Sequence, residues 1–85
     1  MESLKYKDKM KVEGRVIFFD AKRGYGFISW VLNGVQQKDM FCHYSDINVD
    51  GFKVLKKEQL IEFEVGQNVR GEPKAVNVNL ISWSV

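Results

Sequence analysis

Apolar and polar residues alternate with a period of two along most of this chain, and no stretch sustains the 3.6-residue period of a helix, so strands are expected throughout. The clearest cases lie in the second half. Residues Gln59 to Val65 set Ile61, Phe63 and Val65 against Leu60, Glu62 and Glu64, the pattern of a half-buried strand. Lys74 to Ser82 alternates again, with Val76, Val78 and Leu80 expected inward and Ala75, Asn77 and Asn79 outward. In the first half, Val12 to Phe19 is rich in β-branched and aromatic residues and runs into a turn at Asp20-Ala21-Lys22-Arg23. Strict alternation there puts Val12, Val16 and Phe18 on one face.

Two further strands depart from the ordinary pattern. In Gly24 to about Leu32, Tyr25 and Phe27 share one face while Gly24, Gly26 and Ile28 share the other. In Asp39 to Tyr44, Phe41 and His43 face one way and Met40, Cys42 and Tyr44 the other. Both strands are therefore apolar or aromatic on both faces, where an antiparallel sheet normally keeps one face polar. At 85 residues the chain is one domain with a single small core, too little to cover both faces of a sheet. A sheet curled into a barrel resolves this, because only its inner face is buried and its outer face meets water or a ligand. Ile28, Met40 and Cys42 are typical core residues, which assigns the rings to the outside. The opposite arrangement would put His43 inside, where histidine is less at home.

The connections sharpen the picture. Asn33-Gly34 is a strong hairpin signal, yet a plain two-residue turn would pair Phe27 with Met40 and send Phe41 to the other face. A shared face for Phe27 and Phe41 requires a bulge or an odd loop, for example three residues with Gly34 in the left-handed region. Residues 45–59 form a long polar connection, with at most one helical turn between Lys53 and Leu60. Five short strands without a helix predict an all-β, five-stranded antiparallel barrel of the oligonucleotide/oligosaccharide-binding (OB) type.

Composition narrows the chemistry. A net charge of +2 is only mildly basic, so the placement of charge matters more than its sum. One cysteine and one histidine exclude an internal disulfide and fall short of a zinc ligand set, and as strand neighbours they point opposite ways. His43 lacks a nucleophile partner, a paired carboxylate or a metal set arranged with it, since Cys42 points the opposite way, so neither catalysis nor a cofactor is expected. Gly24-Tyr25-Gly26 begins a dinucleotide fingerprint but lacks its third glycine and helix. The N-terminus has no apolar signal core and no window reaches a membrane-spanning length, which points to the cytoplasm. Residues 1–11 place lysine at positions 5, 7, 9 and 11, either a solvated tail or an arm that helps hold phosphates. With rings at Tyr25, Phe27, Phe41 and His43 and cations at Lys22 and Arg23, the outer face suits unpaired bases, which offer a stacking surface that a duplex hides.

Arg23-Gly24-Tyr25-Gly26-Phe27-Ile28-Ser29-Trp30 fits the RNP1 pattern of RNA-binding proteins. In an RNA-recognition motif that pattern lies on the third strand, and 22 residues before Arg23 are too few for it. The chain instead resembles the cold-shock domain family from about Glu13 to Leu80. The resemblance is carried by Gly14-Arg15-Val16-Ile17-Phe18-Phe19-Asp20, Lys22 to Ile28, Phe41-Cys42-His43-Tyr44-Ser45-Asp46-Ile47, Gly51-Phe52-Lys53-Val54-Leu55, Arg70-Gly71 and Ala75-Val76-Asn77-Val78, in that order. It implies a cold-shock OB barrel at 12–82 between an N-terminal arm (1–11) and a tail (83–85).

The resemblance further implies a non-enzymatic nucleic-acid chaperone for single-stranded RNA or DNA; no small-molecule substrate and no membrane partner are expected, and a monomer is favoured although the sequence does not fix the oligomeric state. Carried over residue by residue, its contact positions are Phe18, Phe19, Tyr25, Phe27, Phe41, His43, Tyr44 and Phe52 as stacking groups and Arg23 and Arg70 as basic ones. Phe18 can face outward only if strand one is locally irregular. The family usually has lysine and tryptophan where this chain has Ile17 and Phe18, which removes a charge and the largest ring. The 29–38 hairpin, with Trp30, Leu32 and Val35, is longer than usual and offers a second reading, a protein-contact module built on the same barrel.

Overall fold

The computed structural model describes residues 10–48 and 54–82. Within them the alternating segments form strands β1 Lys11–Asp20, β2 Tyr25–Leu32, β3 Val35–Gln36, β4 Met40–His43, β5 Leu60–Gln67 and β6 Pro73–Ser82. The sheet order is β1-β5-β6-β4-β2-β3, and β1 also pairs with β2, so five strands close a ring and β3 remains outside it as the short return arm of the β2 hairpin. This is the expected five-stranded OB-type barrel. Its pairing is antiparallel except at one seam, where β4 and β6 run parallel through Cys42 and Ala75. The whole of β5 and its flanking loops separates those two strands, which supplies the long crossover that parallel pairing needs.

The inner face is filled by the apolar halves of the alternating strands. Ile28, Cys42, Ile61, Phe63, Ala75 and Val78 are fully buried, with Val16, Trp30, Met40, Ile47, Leu55 and Val65 completing the core. Trp30 packs edge-on against Phe63, with ring centroids 5.8 Å apart, and its indole Nε1 donates to the Lys38 carbonyl at 2.9 Å. Leu32 packs against the same core. The hairpin residues that read as a cap or a contact surface are thus divided: Trp30 and Leu32 serve the interior, whereas Val35 is exposed.

Strict alternation fails at three places, each with a backbone irregularity behind it. In β1 the register with β2 passes from Val16↔Ile28 to Phe18↔Phe27, leaving Ile17 as an extra residue. Phe18 therefore does not join Val12 and Val16 but turns outward, 42% exposed, as the resemblance required. At the same point Val16 exchanges backbone hydrogen bonds with the loop before β5, donating to Gln59 O at 3.0 Å and accepting from Glu58 N at 2.8 Å. A bulge increases local twist, and here it lets one strand serve two curved parts of the barrel.

In β6 the register with β5 shifts between Glu62↔Asn79 and Glu64↔Val76, and Asn77 has a φ of +52°. Ala75 and Val78, three residues apart, both point inward, and Val76 faces out beside Gly66, where an added Cβ would lie 2.8 Å from Val76 Cγ1. The expectation of Val76 inward and Ala75 outward is corrected accordingly.

The third irregularity follows the hairpin. Asn33 and Gly34, with φ of +53° and +81°, make a two-residue turn that pairs Leu32 with Val35 and Val31 with Gln36. Farther down, Ile28 pairs with Met40 and Phe27 with Phe41, one residue out of step with the turn. Residues 37–39 absorb the difference, so a bulge rather than a longer loop brings Phe27 and Phe41 together. The connection after β4 begins with a 3₁₀ turn, Tyr44–Asp46, followed by a bridge from Ile47 to Val78. A single turn closed by Gln59 N donating to Lys56 O at 3.1 Å precedes β5.

Candidate nucleic-acid interface

The site begins at the β1–β2 turn. Asp20 organises it: its Oδ1 accepts the backbone N–H groups of Lys22 and Arg23 at 3.0 Å each, and its carbonyl accepts Gly24 N–H at 2.7 Å. Gly24 closes the turn at a φ of +79°, a conformation that a side chain disfavours. Arg23 Nε stands 3.8 Å from Asp20 Oδ2 in an exposed pair, which contributes little to stability and leaves the guanidinium within reach of a ligand.

Beyond the turn, pairing across β1, β2 and β4 brings the rings together. Phe18 is opposite Phe27 and Phe27 opposite Phe41, while Tyr25 is opposite His43. Tyr25 and Phe41 are stacked with centroids 5.7 Å apart, and Phe27 meets Phe41 edge-on at 5.8 Å. Phe18 reaches Phe27 at 5.8 Å and Tyr25 at 6.4 Å. His43 and Tyr44 form an adjoining pair, 4.6 Å apart. Both RNP1-like glycines serve this surface from below. A Cβ on Gly26 would stand 2.2 Å from Phe18 O, so glycine there lets the β1 bulge approach; a Cβ on Gly24 would stand 2.5 Å from the Tyr44 ring.

Several candidates lie elsewhere. Phe19 pairs with Gly26 and packs against the core instead of joining the ring set. Arg70 sits in the β5–β6 turn, where Asn68 Oδ1 accepts the backbone N–H groups of Arg70 and Glu72 at 2.9 and 3.0 Å, and its guanidinium is 4.0 Å from Glu72. No contact among the described residues links it to the rings. Phe52 and the lysines at positions 5, 7 and 9 lie outside the described residues. Lys11 stands opposite Glu64 on the β1–β5 seam. The sequence reading passed over Ser45, whose Oγ lies 2.8 Å from His43 Nδ1; a serine two residues after a strand histidine, at the start of a turn, was the available signal.

The groups that this surface presents are mainly aromatic rings. Cys42, directly beneath it, is no nucleophile: burial above all pushes its thiol up to about 12, helped by Asp46 and opposed by Lys74, which bonds Asp46 at 3.0 Å. Among the described residues no group of His, Cys, Asp and Glu could hold a metal ion, and no helix is long and apolar enough to cross a membrane. What the surface offers is a set of aromatic faces and edges with ring centroids 5.7–6.4 Å apart, with cations at one border.

A closed OB-type barrel carrying solvent-facing rings on β1, β2 and β4 defines a class of ligand-binding β-barrels. Comparison with known proteins makes the assignment specific. Residues 12–81 match the family described as the "Cold-shock" DNA-binding domain. The chain is 41% identical over 70 residues to a cold shock-like protein of Thermotoga maritima, a match that covers 82% of this chain and 98% of that protein. It is 39% identical over 72 residues to a cold shock-like protein of Aquifex aeolicus, covering 85% of this chain and 97% of the relative. Against the cold shock protein CspA of Staphylococcus aureus the identity is 46% over 66 residues, 78% of this chain and 92% of CspA. The chain belongs to the cold-shock domain family.

Proposed function

We propose that this protein binds single-stranded RNA or DNA by stacking unpaired bases on Phe18, Tyr25, Phe27, Phe41 and the His43–Tyr44 pair, with Lys22 and Arg23 beside the phosphates. One observation carries the reading: four rings lie in mutual contact on the outside of a barrel whose core is already filled. A contiguous aromatic patch on a small domain weakens its solubility without adding to its core, and a ligand accounts for it. Arg70 is a second cation for a longer strand, whereas the core packing of Phe19 suits a supporting role.

The mechanism needs no catalysis. Base faces are hidden in a duplex and open in a single strand, so binding the open form shifts the pairing equilibrium by mass action. Such a protein is a nucleic-acid chaperone acting in the cytoplasm on transcription or translation, the role implied by the family. Release is easy because each stacked base contributes only ~1–3 kcal/mol. The protein-contact reading of the 29–38 hairpin is not favoured: Trp30 is buried and Leu32 packs against the core, which leaves Val31 and Val35 as its exposed apolar residues.

Fluorescence anisotropy of a labelled single-stranded pyrimidine oligomer, against a duplex of equal length and at two salt concentrations, tests the proposal. The single strand should bind better than the duplex, and Phe27→Ala should weaken it by ~1 kcal/mol or more. Equal binding of the two forms, or an unaltered affinity in a folded Phe27→Ala variant, would sink it.

A further inference from the structure

The His43 side chain is held from two directions. Its Nδ1 accepts the Ser45 backbone N–H at 3.3 Å and lies 2.8 Å from Ser45 Oγ. The Tyr44 ring covers one face of the imidazole, with planes inclined by 31°. Tyr44 is itself fixed, because its ring occupies the space a Cβ on Gly24 would need and its N–H donates to Gly24 O at 2.8 Å. An N–H aimed at Nδ1 requires a lone pair there, and a neutral imidazole has a single proton, which therefore sits on Nε2. The other tautomer would set two N–H groups against each other. One ring face and the Nε2–H edge are what the imidazole has left to offer.

We propose that Ser45 is a positioning residue that holds His43 as an Nε2–H donor, and that His43 reads an acceptor atom on the edge of an unpaired base lying on the neighbouring rings. This rests on the stacking reading above and adds selectivity to it. Rings accept any base, since every base has a π-face, whereas a fixed donor demands a carbonyl oxygen or ring nitrogen at one place. The ladder supplies the adjacency: His43 is opposite Tyr25, and the Tyr25 ring stacks on Phe41. An acceptor facing a buried or half-buried donor discriminates because the wrong partner leaves the donor unpaired.

The test uses the full chain and two oligomers of equal length, one of thymidine and one in which the thymines are replaced by 2,4-difluorotoluene, a shape mimic that stacks but accepts hydrogen bonds poorly. Measured at about pH 8, the wild type should prefer thymine by about 2- to 12-fold. His43→Phe, which keeps a ring and removes the donor, should abolish the preference. Ser45→Ala should reduce it and Ser45→Thr restore it, and ¹⁵N shifts of the wild-type ring should show the proton on Nε2. Equal affinity of the wild type for both oligomers, a preference retained by His43→Phe, or a proton found on Nδ1 each overturns the proposal. A Ser45→Ala variant with unaltered ring shifts and preference overturns the part assigned to Ser45. If single strands do not bind, or Phe27→Ala leaves binding intact, the stacking reading itself fails; binding that depends on Phe27 without the thymine preference defeats this inference alone.

Discussion

Gly26 shows how much a missing side chain can decide. It lies opposite Phe19 on the barrel's inner side, and a Cβ there would meet the Phe18 carbonyl at 2.2 Å, a backbone atom that cannot swing away. Gly26→Ala should therefore destabilise the protein by ~1–3 kcal/mol, read as a lower urea midpoint, and should weaken single-strand binding by displacing Phe18. Cys42 supports a second prediction. Its thiol is raised from 9.0 to about 12 in the folded protein, chiefly by burial. Across that window the unfolded chain loses a proton that the folded chain keeps. Stability is unaffected by this group below about pH 9 and falls above it by ~1.4 kcal/mol per pH unit. Urea unfolding of the wild type and Cys42→Ala between these limits should show the extra slope only in the wild type, and a thiol reagent should label Cys42 only when the chain unfolds.

Among the elements, the β1–β5 seam contains a mismatch that the register makes explicit. Glu13 stands directly opposite Glu62, next to the complementary pair Lys11 and Glu64. Like charges facing each other across antiparallel strands are destabilising, so Glu13→Lys should stabilise the fold by ~0.2–1 kcal/mol. The gain in thermal midpoint should shrink as salt is raised, because screening weakens both the original repulsion and the new attraction. The seam is remote from the rings, and oligonucleotide affinity should change little. β1 also shows why a strand's two halves can have different tasks. Before the Ile17 bulge it pairs with both β5 and β2; after the bulge it carries Phe18 outward along β2 alone.

At the scale of the whole molecule, the barrel buries its core and carries its rings on the outside. Under the proposed function, binding takes the unpaired form of a nucleic acid out of its equilibrium with the paired form. Added protein should thus lower the melting midpoint of a short hairpin oligonucleotide, followed by its absorbance, and Phe27→Ala should lower it less. The effect should fade as salt rises, with a slope of about −0.7 in log K per phosphate contact. Stacking on the rings does not depend on counterion release and should leave a salt-resistant remainder.

The sequence by itself determined the strands, the barrel and the outward rings. With 85 residues and two strands apolar on both faces, only a closed sheet leaves one of those faces free, and Ile28, Met40 and Cys42 could be told from Tyr25, Phe27 and Phe41 by burial preference alone. Tertiary structure decided what a period of two cannot express. One extra residue at Ile17, one at Asn77 and one between Gln36 and Met40 each reverse the alternation that follows. Phe18 and Ala75 consequently sit opposite to their local pattern. Phe19 went inward because its partner is Gly26, and the tie between Ser45 and His43 depends on a 3₁₀ turn that no alternation foretells. A bulge is favoured by the curvature of the closed barrel, and curvature belongs to all the strands together rather than to the residues of any one.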